Sequence, residues 1–152
     1  GYSHTCAFAE GTVYCWGHNP YGQLGNTTNN GTPTANPTPT PVVGLTGVTN
    51  ISAGFNHTCA ADLDGTMSCW GYNYFGQLGN TTNNGILTAN PTPTTVTGLT
   101  GVTNIAAGYN HSCAVVDTTM ACWGLNRFGQ LGSTNNGTGT IIPTPTPVAG
   151  LG

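Results

Sequence analysis

The chain has 152 residues, of which only 3% are charged: Arg127 against Glu10, Asp62, Asp64 and Asp117, for a net charge of −3. Typical globular proteins carry roughly 25% charged residues; so sparse a set excludes a basic surface for nucleic acid or anionic lipid and leaves few groups for acid–base catalysis. The 37% apolar content supports a core rather than disorder, and no apolar run approaches the ~20 residues of a membrane helix.

The chain opens Gly-Tyr-Ser-His, without Met or signal peptide, and is expected to be a mature product or a window on something longer. The first elements are two short strands, 4–9 and 12–16, joined at Glu10-Gly11 as a two-residue hairpin turn. Counting outward pairs Ala9 with Thr12, Phe8 with Val13, Ala7 with Tyr14 and Cys6 with Cys15. Alternation makes the last a non-hydrogen-bonded pair, with Cα atoms ~4.5 Å apart and within disulfide reach. Both faces of the hairpin are apolar, which favours small sheets stacked face to face.

Trp16-Gly17 and the turn Gly22-Gln23-Leu24-Gly25 follow, then a low-complexity segment, 26–41, in which Pro37, Pro39 and Pro41 alternate with Thr. Alternate prolines are expected to keep this tract out of any ladder and in extended polyproline II form, as a stiff linker or a linear surface for sugar or partners. An apolar stretch, Val48 to Ile51, leads to Gly54.

There everything returns. Gly1-Tyr2-Ser3-His4-Thr5-Cys6 reappears as Gly54-Phe55-Asn56-His57-Thr58-Cys59 and Gly108-Tyr109-Asn110-His111-Ser112-Cys113. The units are 1–53, 54–107 and 108–152, the last cut short, and no stretch has a helical apolar period. The second hairpin turns at Leu63-Asp64-Gly65 and the third at Asp117-Thr118, placing Cys59 opposite Cys69 and Cys113 opposite Cys122. Turn length and cysteine spacing change together, which argues for three bonded pairs, each worth roughly 2.5–3 kcal/mol for a ten-residue loop. Free thiols are the weaker reading. A metal site from Cys6, Cys15 and His4 or His18 is weaker still, because the short Cys-x2–4-Cys chelate is missing and Tyr72 and Leu125 replace His18. Disulfides point to an oxidising compartment, hence an extracellular or cell-surface location.

The stretches 16–25, 70–79 and 123–132 share Trp-Gly-x-Asn-x-x-Gly-Gln-Leu-Gly, with Gly-x-x-His-[Thr/Ser]-Cys-Ala before it and Pro-x-x-Val-x-Gly-Leu after it in the first unit. This resembles the repeat of the regulator of chromosome condensation family, in the cysteine-paired version of secreted bacterial members. The resemblance implies an all-β fold of four-stranded propeller blades of short antiparallel strands. The three units would then form part of a larger closed propeller or of an open stacked or helical array. The family's best-known activity, nucleotide exchange on a small GTPase with chromatin binding, is not carried over, since chromatin contact needs basic residues.

His4, His57 and His111 recur once per unit and are expected to be structural, donating to backbone carbonyls; Trp16, Trp70 and Trp123 are the matching repeat residues. Acceptor sequons for N-linked sugar stand at Asn26, Asn30, Asn80 and Asn136 in loops and at Asn50, Asn56 and Asn110 near strands. Thr34, Thr38, Thr40, Thr92, Thr94, Thr144 and Thr146 are candidates for O-linked sugar. Covalent glycans would also compensate for the missing surface charge. No catalytic set, metal site or cofactor motif stands out from the repeat. The expected function is an extracellular structural protein, stapled and glycosylated, packing against copies of itself or further repeats in a fibre or surface layer. The alternative is a ligand- or protein-binding propeller module of a secreted or cell-surface protein.

Overall fold

The computed structural model describes residues 1–151, and its described residues hold strands and turns but no helix. Strands β1 (His4–Ala9), β2 (Thr12–Gly17) and β3 (Asn36–Pro41) form a sheet in that order. A second sheet runs β4 (Val48–Ala53), β5 (His57–Asp62), β6 (Met67–Gly71), β7 (Asn90–Thr95). The third runs β8 (Val102–Ala107), β9 (His111–Val116), β10 (Thr119–Leu125), β11 (Ile141–Pro147), and all neighbours are antiparallel. Each four-stranded sheet takes its first strand from the end of one sequence unit and the rest from the next, so the sheets bind the units together. Gly152, the end of the third unit, lies outside the described residues.

The hairpin registers follow from turn length. Cys6 faces Cys15, Cys59 faces Cys69 and Cys113 faces Cys122. All three pairs are bonded, with Cα–Cα distances of 4.2, 4.1 and 4.1 Å. The first turn takes Glu10 and Gly11 to φ of 52° and 78°, the left-handed pair that a tight hairpin needs.

The proline tracts differ from expectation: they are the outer strands β3, β7 and β11. In an antiparallel strand, N–H groups point alternately to the partner and away from it. Cys15 pairs with Thr40, and the next inward donor, Val42 N, reaches Val13 O at 2.8 Å. The even positions therefore face β2, and Pro37, Pro39 and Pro41 sit where an N–H would face outward. Prolines at every second residue are compatible with an edge strand, and they strip its free side of donors.

Two cores lie at the seams between sheets. Val13 and Cys15 of the first sheet, with Leu24 and Val42 from the segments flanking it, pack on Val48, Ala60 and Trp70 of the second. Met67 and Cys69 of the second, with the flanking Leu78 and Val96, pack on Val102, Ile105, Ala114 and Trp123 of the third. Trp70 and Trp123 are fully buried, each worth about 4–6 kcal/mol of transfer free energy at most. Where β2, β6 and β10 bulge, Gly17, Gly71 and Gly124 have φ of 111°, 107° and 112°. A Cβ there would stand 2.6 Å from the carbonyl oxygens of Ser3, Asn56 and Asn110, so glycine follows each tryptophan for steric reasons.

Candidate binding face

The loop after each Trp-Gly is built on one asparagine. Asn19 Oδ1 accepts from Leu24 N at 2.9 Å, while its Nδ2 donates to the carbonyls of Asn26 at 3.0 Å and Thr28 at 2.8 Å. Asn73 repeats this with Leu78, Asn80 and Thr82, and Asn126 with Leu131, Ser133 and Asn135. All three asparagines are fully buried. Gln23, Gln77 and Gln130 brace the loop from the other side, each Oε1 accepting the backbone N–H two residues earlier, at 3.0, 2.9 and 2.8 Å. With the loop so fixed, the backbone carbonyls of Gln23 and Gln77 point into the seams.

There they meet the next sheet. Gln23 O accepts from Trp70 Nε1 at 3.0 Å and Thr58 Oγ1 at 2.9 Å; Gln77 O accepts from Trp123 Nε1 at 3.0 Å and Ser112 Oγ at 2.8 Å. The same hydroxyls lie 2.9 Å from Nε2 of His4 and His57. Each hydroxyl has one proton and directs it to a carbonyl, so the histidine must be the donor, neutral with its hydrogen on Nε2. His4 and His57 thus donate to hydroxyls across the seam, not directly to backbone carbonyls as expected; the hydroxyl relays to the carbonyl. Their Nδ1 atoms are buried without a partner. A Cβ on Gly54 would stand 2.6 Å from His57 Nδ1, which explains the glycine three residues before the histidine. Burial, followed by repulsion from His4 and His111, pushes His57 down to about 3. Burial, chiefly, takes His4 to about 4 and also lowers His111.

One surface of this scaffold is aromatic. The residue after each unit's first glycine forms an inner row: Tyr2 and Phe55 have ring centroids 4.6 Å apart, Phe55 and Tyr109 4.0 Å, nearly parallel. The Gly-Gln-Leu-Gly loops supply an outer row, with Tyr21 and Tyr72 4.5 Å apart and Phe75 edge-on to Tyr72. Between the rows lie two adjoining depressions. One, of about 410 Å³, is bordered by Tyr2, His18, Tyr21, Phe55 and Asn56. The other, of about 310 Å³, is bordered by Phe55, Tyr72, Phe75, Tyr109 and Asn110 and shares Tyr21 and Asn56 with the first. None of the five charged residues borders either. Burial and the neighbouring tyrosines raise the Tyr72 phenol above its ordinary value, so it stays protonated.

The residues singled out from sequence fall in different places. Trp16 is half-buried, whereas its two counterparts are sealed in the seams. Asn56 and Asn110 lie at the base of the groove, their Oδ1 atoms accepting from Gln23 and Gln77 at 3.2 and 3.5 Å. Asn50 donates to Asn104 at 2.6 Å. Asn26 and Asn80 are half-exposed, with Oδ1 held by Thr28 N and Thr82 N at 3.0 Å each. Asn30 is half-exposed and Asn136 exposed. Thr34, Thr38, Thr40, Thr92, Thr94 and Thr144 are exposed, and Thr146 is half-buried. Sequence reading places Asn19, Asn73, Asn126 and the three glutamines in the shared motif but gives them no role, and it gives none to the aromatic rows, in which Tyr72 has no aromatic counterpart in the other units.

The regulator of chromosome condensation (RCC1) repeat matches the chain over residues 10–61 and 64–115, and a second model of the same description matches 48–77 and 102–130. The ultraviolet-B receptor UVR8 of Arabidopsis thaliana is 32% identical over 142 residues, covering 90% of this chain and 30% of that protein. The secretion-regulating guanine nucleotide exchange factor of Mus musculus is 32% identical over 170 residues, covering 99% of this chain and 35% of that protein. Among solved structures, Prp20p from Saccharomyces cerevisiae, studied for its binding to Gsp1p and histones, superposes with a TM-score of 0.84 at 22% identity, over 96% of this chain and 36% of its own. Yeast RCC1 (Prp20) bound to Kap60 gives a TM-score of 0.74 at 28% identity, over 96% and 33%. The chain spans about a third of the length of these relatives.

Proposed function

The chain belongs to the regulator of chromosome condensation (RCC1) repeat family, and on that premise we propose that it is part of a propeller module that binds a protein partner through its aromatic face. The observation that carries this is the continuity of the face, to which every unit adds at least one ring and whose two depressions no charged side chain borders; Arg127 stands apart from them, over Phe128. Protein interfaces concentrate their energy on Tyr, Trp and Phe and are depleted of Lys, Glu and Asp at their centres. The named partners of Prp20p and Kap60-bound RCC1 are also proteins. This reading is better supported than the fibre expected from repetition alone. That expectation treated the lack of a unique site as the lack of any site, whereas here repetition builds the surface. The neutrality of the face sets its partner apart from a basic protein such as a histone.

Two further proposals accompany it. A disulfide in every unit supports a location outside the cell or at its surface, where the exposed Asn136 would be open to sugar. The seam, repeated twice here, would also admit further blades of the same kind, from the same chain or from copies.

The test is a photo-reactive phenylalanine analogue placed at Tyr109, 60% exposed on the face, or at Thr38 on the outer strand. The expected result is one protein adduct from position 109, confirmed by titration of the purified partner, and none from 38. Adducts from position 38 alone would refute the assignment.

A further inference from the structure

We propose that the groove between the aromatic rows takes a proline-rich segment in polyproline II form. This rests on the protein-binding reading and narrows it to one class of peptide. The groove is biased toward donation. Gln23 Nε2 and Gln77 Nε2 hold the Oδ1 atoms of Asn56 and Asn110, which turns each Nδ2 the other way. Among the described residues neither Nδ2 meets an acceptor, and neither is sealed from solvent. The protonated Tyr72 phenol adds a further hydroxyl.

Four of the backbone carbonyls bordering the groove are already engaged. Ser3 O takes His18 N at 2.8 Å, Asn56 O takes Tyr72 N at 2.9 Å, Asn110 O takes Leu125 N at 2.9 Å and Tyr21 O takes Asn90 N at 3.1 Å. A ligand lying here is offered aromatic rings and the two free amide donors of Asn56 and Asn110. A proline-rich segment matches that offer. It presents carbonyls all along its length, has no N–H at its prolines, and brings flat apolar rings for stacking. It carries no charge, as the groove carries none. It is also extended before it binds, which lowers the entropy cost on a shallow surface.

The test uses the whole chain with fluorescein-labelled decaproline, followed by anisotropy, with a Gly-Ser decapeptide as control and cellohexaose and chitohexaose as competitors. Asn56→Asp keeps the acceptor for Gln23 and removes the free donor; Phe75→Ala removes one wall. Saturable decaproline binding, weakened about tenfold by each substitution and unchanged by Thr94→Ser on the outer strand, is the expected result. Should Asn56→Asp fail to fold, Phe75→Ala and Tyr72→Phe carry the comparison. The proposal is overturned by no saturation up to about 1 mM peptide, by binding that ignores the groove substitutions, or by an oligosaccharide that binds more tightly and displaces decaproline. If decaproline fails while crosslinking from position 109 succeeds, the groove binds protein of another kind and only the proline assignment falls.

Discussion

Acidification should weaken this protein well before its carboxylates titrate, because its seams depend on neutral histidines. An unfolded histidine titrates near 6.5, while burial takes His4 to about 4 and His57 to about 3. Between those values the unfolded chain binds protons that the folded chain refuses. Their contribution is therefore complete above pH 6.5 and is lost as pH falls toward the folded values. At pH 5 each histidine should have forfeited about 2 kcal/mol, about 4 kcal/mol together, a large share of the roughly 5–15 kcal/mol typical of a domain. The melting temperature should fall by about 10 °C. His111 adds to this in the same direction, and Asp62, raised by burial, opposes it. With only four acidic side chains in the sequence, the histidine term is unusually free of background. Urea unfolding from pH 7 to pH 4.5 measures the slope, and His57→Gln, which keeps a donor for Ser112, should halve it. Stability that stays flat between pH 7 and pH 5, or a slope indifferent to His57, would refute the relay of neutral imidazoles.

Other seams and edges give equally direct expectations. Trp70→Phe removes the indole donor from Gln23 O and part of a filled core, and should cost about 2–3 kcal/mol in denaturant midpoint analysis. Asn73→Ala leaves Leu78 N and the Asn80 and Thr82 carbonyls without their partner, and should cost about 3 kcal/mol; a change within a few tenths would deny the asparagine its role in the loop. Replacing Cys59 and Cys69 together by alanine should cost about 2–4 kcal/mol by the same assay. Thr40→Pro should lower the melting temperature by removing an inward donor of β3, whereas Pro39→Ala should leave it near its starting value and raise self-association in sedimentation by restoring an outward one.

The hairpins were legible because turn length alone sets an antiparallel register, and three different turns around three cysteine pairs gave the same answer. The outer strands are hidden in the sequence because alternating proline reads as a bar to pairing, whereas it bars only one side of a strand. Position parity in 26–41 held the answer, as Val42 and Thr40 face β2 and the prolines do not. The histidine partners were out of reach for another reason. Thr58 and Ser112 lie more than fifty positions from the rings that bond them, and which sheet stacks on which is a matter of topology, not of local pattern. The aromatic rows were visible as a period, but a period does not say that Tyr21 and Phe55 border one depression.

That last point bears on how a repeat protein acquires a function. Each unit adds one or a few rings to the face, and the second and third each add an amide donor, Asn56 and Asn110; one unit alone offers too little to hold anything in competition with water. The seam fixes each unit against the next through buried tryptophan and a shared carbonyl, so the small contributions arrive aligned and prepaid in entropy. A ligand that makes the same contact over and over can then engage successive units as an intramolecular series, its affinity rising with the number of blades although no single blade binds well. Polyproline II repeats every three residues at about 3.1 Å per residue, so it offers the same carbonyl and ring at regular intervals. Because such a ligand gathers many weak contacts at once, shortening decaproline should lower its affinity steeply rather than in proportion to contact area.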